Sequence, residues 1–323
     1  MQKRIWITWE RQRRSIEMAK IFGCELFLFD YSDFLRYPKS IIGTIWVILK
    51  KNPNILFVQN PSMVLAAIAC LYGTISKTLI VVDRHTTFRL SRKYKVTLKY
   101  LISKPLHKFS ILLADVTIVT NNYLVDIVNG MGGKAFVLPD KLPDIKPSRK
   151  IELKGTKNLL LISSFGRDEP IGAALEAIKH FEDQNIFLYI TGNFKKLEQN
   201  LYLSSPKNVI YTGFLPEEDF VNMIFSVDAV LVLTTSEYVM LCGCYEAVSA
   251  EKPLITSDKA VLKDYFKGAI FIDNSAQAIS TGIAKVLQDT ELYQYRIKEL
   301  KGRIEPYWNE LFVNINNHLN HHS

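Results

Sequence analysis

The feature that most constrains this chain is a regular exchange of two signals. Short apolar runs rich in Val, Ile and Leu alternate with segments whose apolar residues recur at helical spacing. In the front half, "RIWITW" reads as a strand and "RQRRSIEMAKIFG" as a helix stopped by Gly23. A strand "ELFLFD", a helix through "SIIGTIWVILKKN", a strand "NILFVQN", a helix from Pro61 to about Tyr72 and a strand "TLIVVD" follow. A long basic helical region, a strand "VTIVT", a helix "NNYLVDIVNGMG" and a strand "KAFVLP" complete this half. Strands separated by helices pair in parallel, with helices on both faces of the sheet.

The alternation breaks once, at "PDKLPDIKPSRKIELKG", whose prolines, mixed charge and lack of apolar period read as a linker. It then restarts with strand "NLLLISS", helix "IGAALEAIKHF", strands "IFLYITG" and "NVIYTG", helix "PEEDFVNMIFSV" and strand "AVLVLT". Helix "GCYEAVSAE", strands "PLITSD" and "AIFID" and helix "AQAISTGIAKVLQ" end the second half. The final segment spaces Trp308, Leu311, Phe312 and Ile315 as a helix does. The expectation is two doubly wound, Rossmann-like parallel-sheet domains over 1–145 and 146–305, with a helix over 306–323 that packs back on the first. In such folds ligands bind at the C-terminal ends of the strands, and two such edges would face a cleft.

With 323 residues the chain has length for two domains. No run reaches the ~18 to 20 apolar residues of a membrane span, and Trp9-Glu10-Arg11 interrupts the first apolar run too early for a signal peptide. The expected location is cytoplasmic. Four cysteines do not make a disulfide framework, and the C-x-C of Cys242 and Cys244 lacks the companions of a zinc site, so both read as small packing residues. "DYSD" has the wrong spacing for a D-x-D metal motif, and neither metal nor cofactor is expected. The net charge of +8 is concentrated in the front half, which suggests an anionic partner on one side only.

The stretch 234–258, "TTSEYVMLCGCYEAVSAEKPLITSD", carries the most chemistry. A strand ends before it, a loop with Glu237 follows, and a helix opens at "GCYEAV". Backbone N–H groups and the helix dipole suit such a terminus to a diphosphate. Glu246, read as lying in the first turn, has a carboxylate that would accept hydrogen bonds from ribose hydroxyls. Taken alone, Glu246 is equally a helix-terminal charge and Glu237 a solvated loop residue.

"YEAVSAEKPLITSD" resembles the donor site of GT-B glycosyltransferases, above all the retaining family of bacterial cell-envelope and capsule sugar transferases (glycosyltransferase family 4-like). Their pattern runs E-G-F-G-x-x-x-x-E-A-x-x-x-x-K-P-V-I. The resemblance extends through "FVLPD", the "SSF" loop, "ITGN", "YTGFLPEEDF" and "VDAVLVLTTSE". It implies a nucleotide-sugar donor held by Ser164, Arg167, Gly192, Tyr238, Gly243, Cys244 and Glu246, with the loop from Tyr238 to Cys244 wrapping the diphosphate and sugar. It also implies retention of configuration, with Glu237 and His85 facing the sugar. The chain departs from the pattern in three places. The two glutamates are one residue further apart, the Gly-rich part is reduced to Gly243, and in "SSFGRDEP" Arg167 is the one basic residue. A surface salt bridge of Arg167 with Asp168 or Glu169 is the competing reading.

In the front half, His85 follows a strand end in "LIVVDRHTTF"; a lone histidine is also commonly structural. "TWERQRRS" makes Glu10 a candidate general base for an inverting enzyme and Arg11 and Arg13 candidate acceptor contacts, with helix capping and a solvated basic face as the alternative. Residues 84–114 contain no acid. Within them Arg89, Arg92, Lys93, Lys95 and Lys99 interleave with Leu, Tyr and Val, as in a surface that meets anionic lipid. No nucleic-acid motif accompanies it, and no nucleic-acid partner is expected. Together these readings imply a glycosyltransferase bound peripherally to the inner face of the plasma membrane. It would move a sugar from a nucleotide diphosphate to a lipid-linked saccharide in envelope, capsule or exopolysaccharide synthesis. The alternatives are a GT-B sugar-nucleotide epimerase and a non-catalytic sugar-nucleotide-binding or scaffold subunit.

Overall fold

The computed structural model describes residues 2–60, 62–85 and 98–322, with the backbone alone for 60, 98–104 and 322. The chain divides into two compact units, one of Met1–Asp140 with Trp308–Ser323 and one of Lys141–Tyr307.

The first unit runs β1 (Arg4–Thr8), α1 (Arg13–Ile21), β2 (Glu25–Leu28), α2 (Arg36–Lys51), β3 (Ile55–Asn60), α3 (Met63–Ile75), β4 (Leu79–Arg84), α4 (Leu98–Leu113), β5 (Val116–Val119), α5 (Asn122–Gly130) and β6 (Ala135–Val137). Its six-stranded sheet has the order β2-β1-β3-β4-β5-β6, and every pairing is parallel. β4 and β5 are buried along their whole length, which is why they read as unbroken apolar runs. Ser62 and Asn121 cap α3 and α5 by accepting from the Leu65 and Leu124 amides. Under one face, Trp6 stacks on Phe57 at 5.2 Å between ring centres, beside Met18 and Phe22.

The second unit runs β7 (Lys157–Leu161), α6 (Ile171–Lys179), β8 (Ile186–Thr191), α7 (Gln199–Leu203), β9 (Val209–Gly213), α8 (Glu217–Ser226), β10 (Ala229–Val232), α9 (Cys242–Ser249), β11 (Leu254–Ser257), α10 (Ala260–Tyr265), β12 (Ile270–Ile272), α11 (Ala276–Gln288) and the first part of α12 (Thr290–His322), whose residues from Trp308 on belong to the first unit. Its sheet, also six-stranded and parallel, has the order β12-β11-β10-β7-β8-β9. One core lies between the sheet and α6 with α11, and a second between the sheet and α8, α9 and α10. The Pro-rich segment is held to this unit by Asn222, whose buried carbonyl oxygen accepts from the Ser148 and Arg149 amides at 2.9 and 3.1 Å.

Three elements differ from the sequence reading. α7 and α10 are absent from it, because such short helices hold too few turns for an apolar period; α10 supplies the crossover that parallel β11 and β12 require. The last helix starts at Thr290, well before 306, and runs through Pro306. A proline read as a helix start is here an interior one, at the cost of one backbone hydrogen bond. Beyond it, Trp308, Ile315 and Leu319 complete the first unit's core, and Trp308 Nε1 donates to the Pro139 carbonyl at 2.9 Å.

Candidate functional site

In the second unit the chain goes from β7 outward through β8 and β9, then returns to place β10 on the other side of β7. The loops after β7 and β10 therefore leave the sheet in opposite directions, which opens a crevice at the C-terminal strand ends. The residues that fall there are 162–170 and 233–241.

Both loops are held rigidly. Asp168 Oδ2 accepts from Thr234 Oγ1 at 2.8 Å and from Ser236 Oγ at 3.0 Å, and the Asp168 carbonyl accepts from the Thr235 amide at 2.6 Å. Glu169 folds back on its own loop, accepting from the Ser164 amide at 3.1 Å, the Ser164 hydroxyl at 2.7 Å and the Phe165 amide at 3.0 Å. The Thr234 amide donates to Ser257 Oγ at 2.8 Å, and that hydroxyl donates to Asn274 Oδ1 at 2.6 Å. Asn274 Nδ2 returns to the Thr234 carbonyl at 2.9 Å. A chain of polar groups thus fixes the edge from β7 to β12. With both acids of "GRDEP" committed in this way, the alternative salt bridge of Arg167 is not formed. Arg167 is exposed and has no ion pair among the described residues.

Gly192, at the end of β8, brings a third loop onto the first. Its φ is 99°, and a Cβ there would stand 2.1 Å from the Ser163 carbonyl oxygen. Only glycine permits this approach. Just beyond, Lys196 Nζ donates to the Ser164 carbonyl at 3.1 Å. Beside Arg167, the one basic residue of "SSFGRDEP", the fold thus sets a second cation against this loop. "NFKK" after a strand end was the available signal, but its contact across the sheet edge was not legible.

α9 opens at Cys242, and a Cβ on Gly243 would meet Val232 Cγ2 at 3.0 Å and Ile162 Cβ at 3.2 Å, so the helix start sits directly on the strand ends. Two readings need correction. Cys244 is fully buried, with Sγ 3.6 Å from Thr256 Oγ1, and burial pushes its thiol up to about 12. Its amide donates to the Leu241 carbonyl at 3.0 Å, so Cys244 packs and presents neither group to the loop. Glu246 lies in the second turn of α9, since the helix begins earlier than the sequence suggested; it is half-buried. Tyr238 has φ 63° and is half-buried, while exposed Glu237 pairs with Lys259 at 2.6 Å.

In the first unit β1 lies between β2 and β3, which puts the turn after β1 at the corresponding switch. Glu10 and Arg11 are exposed in that turn. Thr8 Oγ1 donates to the Glu10 carbonyl at 2.8 Å and is bonded to Gln59 on β3. Arg13 lies along α1, paired with Glu17 at 2.7 Å. His85 follows β4 on the same sheet edge, half-buried, with Nδ1 3.8 Å from Asp83 Oδ2, beyond hydrogen-bond range. The strand β3 separates it from the Glu10 turn, so Glu10 and His85 share an edge without adjoining.

The dominant polar group here is Arg14, which the sequence reading passed over. Its Nε and Nη2 fork onto buried Asp83 at 3.0 and 2.8 Å, Nη1 meets Asp140 at 2.5 Å, and Nη2 also donates to the Leu138 carbonyl at 2.9 Å. Burial alone would push the Asp83 carboxyl up; the Arg14 guanidinium and its hydrogen bonds outweigh that and hold it well below the usual range. Arg89, Arg92, Lys93 and Lys95 lie outside the described residues, and Lys99 is in α4 with its side chain outside them. Among the described residues no group of three or more His, Cys, Asp or Glu is placed to hold a metal ion, and no helix is long and apolar enough to cross a membrane.

Residues 144–303 match the family model described as glycosyl transferases group 1. No curated protein matches the chain. Among solved structures it is similar to a sucrose-phosphate synthase from Thermosynechococcus elongatus, at 12% identity and TM-score 0.72, covering 97% of this chain and 100% of that one. A glycosyltransferase from Rickettsia africae aligns at 11% identity and TM-score 0.70, over 98% of each chain. S. aureus MnaA with UDP aligns at 14% identity and TM-score 0.63, over 94% of each.

Proposed function

We propose, from the premise that this chain is a GT-B glycosyltransferase whose residues 144–303 belong to the glycosyl transferases group 1 family, that it moves a sugar from a nucleotide diphosphate to a lipid-linked saccharide in envelope, capsule or exopolysaccharide synthesis. The observation that carries this reading is the rigid switch-point edge of the second unit, with Arg167 exposed and Lys196 set on the same loop. The diphosphate lies against the loop after β7 and the start of α9, where Arg167, Lys196 and the helix dipole stabilise the charge that develops on departure. Glu246 accepts from the ribose hydroxyls, and the loop of Glu237 and Tyr238 flanks the sugar. Transfer proceeds with retention and without a metal. The leaving phosphate helps take the acceptor proton, while the protein orients both reactants. His85 is proposed to face the donor sugar, and Glu10 and Arg11 the acceptor. Basic residues of the first unit, including the segment with Arg89, Arg92, Lys93, Lys95 and Lys99, favour a lipid-linked acceptor and a cytoplasmic, peripheral position on the membrane.

The test is transfer of radiolabel from UDP-, GDP- or ADP-sugars into membranes, followed by organic extraction. Label from one donor is expected in the lipid phase, lowered at least about tenfold in Glu246→Ala. A labelled sugar that stays on its nucleotide and changes only in configuration would overturn the reading in favour of an epimerase. Binding without any turnover would overturn it in favour of a non-catalytic subunit.

A further inference from the structure

α2 is apolar on both sides. Its inner face, with Ser40, Thr44, Val47 and Ile48, is buried against the first unit. Its outer face carries Ile42, Ile45, Trp46 and Leu49, at helical spacing along one stripe and exposed at 69%, 43%, 55% and 67%. Phe34, in the turn before the helix, is 91% exposed. A helix apolar all round is ordinarily covered by protein or lipid, and a contiguous exposed patch of this kind marks an interaction surface.

The charges around the stripe select the occupant. α2 contains Arg36, Lys39, Lys50 and Lys51 and no acid. Lys39 pairs with Asp33 and Lys51 with Glu25. Arg36 and Lys50 have no ion pair among the described residues; they lie over the rings of Tyr37 at 4.7 Å and Trp46 at 4.3 Å. Long basic side chains and Tyr and Trp rings at the margin of an apolar stripe suit the water boundary of a bilayer. A protein partner would bury that stripe in an interface core, where lysine is depleted.

We infer that the outer face of α2, with Phe34, is a docking surface for an anionic lipid bilayer. The helix lies in the plane of the interface with Ile42, Ile45, Trp46 and Leu49 among the acyl chains and Arg36 and Lys50 at the headgroups. This rests on the membrane part of the proposed function and gives it a surface that the sequence reading, centred on residues 84–114, did not single out.

The tryptophans make the test direct. Trp6, Trp9 and Trp308 are buried and Trp46 alone of the four is exposed, so a change in emission on adding vesicles reports Trp46. Emission should shift to the blue with vesicles of phosphatidylglycerol mixed with phosphatidylcholine, and not with phosphatidylcholine alone. Ile42→Gln with Leu49→Gln should weaken partitioning at least about tenfold, and Arg36→Glu with Lys50→Glu by about tenfold or more. All four positions are exposed, so thermal stability and nucleotide binding should be unchanged. Vesicle binding that survives the Gln pair overturns the proposal. So does sedimentation of the free protein as a dimer that the Gln pair dissociates, which would assign the face to a second copy. Absent vesicle binding with nucleotide binding intact removes this inference together with the membrane part of the proposed function and leaves the donor site standing, whereas absent nucleotide binding removes the donor-site reading and leaves the lipid result standing.

Discussion

Replacing Arg14 by Met lowers the stability of the first unit by roughly 3–5 kcal/mol, the cost of leaving a buried charge without its partner. Asp83 is fully buried and takes its counter-charge from Arg14, which also bonds Asp140 and the Leu138 carbonyl. All four tryptophans lie in this unit, so urea unfolding followed by tryptophan fluorescence isolates its transition. The pH dependence has a definite sign. In the wild type the folded Asp83 carboxyl is held below its unfolded value. Its contribution is therefore complete above about pH 4 and lost as the pH falls through the folded value. In Arg14→Met, burial is opposed only by the weaker pull of His85, so the folded carboxyl rises and acidification no longer costs the variant this stability. Adding Asp83→Asn removes the stranded charge and recovers much of the loss. A loss below about 1 kcal/mol would mean that water or another cation satisfies Asp83.

Gly192→Ala has the largest expected effect in the second unit, about 2–5 kcal/mol from backbone strain and overpacking together. The methyl group would fall 2.1 Å from the Ser163 carbonyl oxygen, at a φ of 99° that side chains rarely adopt. The opposing atom is backbone, so relief requires moving the loop that carries Ser164 and Arg167. Nucleotide binding should fall with stability. Gly302→Ala is the control: nothing lies within 4 Å of its added Cβ, which sits in α12. There alanine should stabilise by about 0.5–1 kcal/mol. Far-ultraviolet circular dichroism during unfolding reads both, and a Gly192→Ala variant as stable as the wild type would refute the close approach.

The fold was legible because parallel strands buried on both faces leave unbroken apolar runs, as in "LIVVD" and "AVLVL", and because prolines mark the junction. What escaped was short or non-local. α10 has too few turns to show a period, and Pro306 resembles a helix start until Trp308, Ile315 and Leu319 are seen to share a core with Trp6 and Phe22. In "RQRRS" the inward cation is Arg14, and a signal was present: it precedes Met18 and Phe22 on one helical face, and both are buried. Its partner Asp83 comes from a distant strand end, which no local pattern announces. Cys244 likewise shares a face with the buried Val248, so helical spacing alone argued for packing. The pairing of Lys196 with the Ser164 loop and of Asp168 with Thr234 depends on which strands are neighbours, and strand order is a property of the fold.

The account stands on the second unit's edge as a nucleotide diphosphate site. Calorimetric titration of UDP, GDP and ADP into the wild type, Glu246→Ala and Arg167→Ala tests it most directly. One nucleotide should bind the wild type, with affinity reduced roughly 10- to 100-fold in each variant, as expected for losing a hydrogen bond to a charged group. Binding of none of the three, or binding that neither substitution weakens, would contradict it.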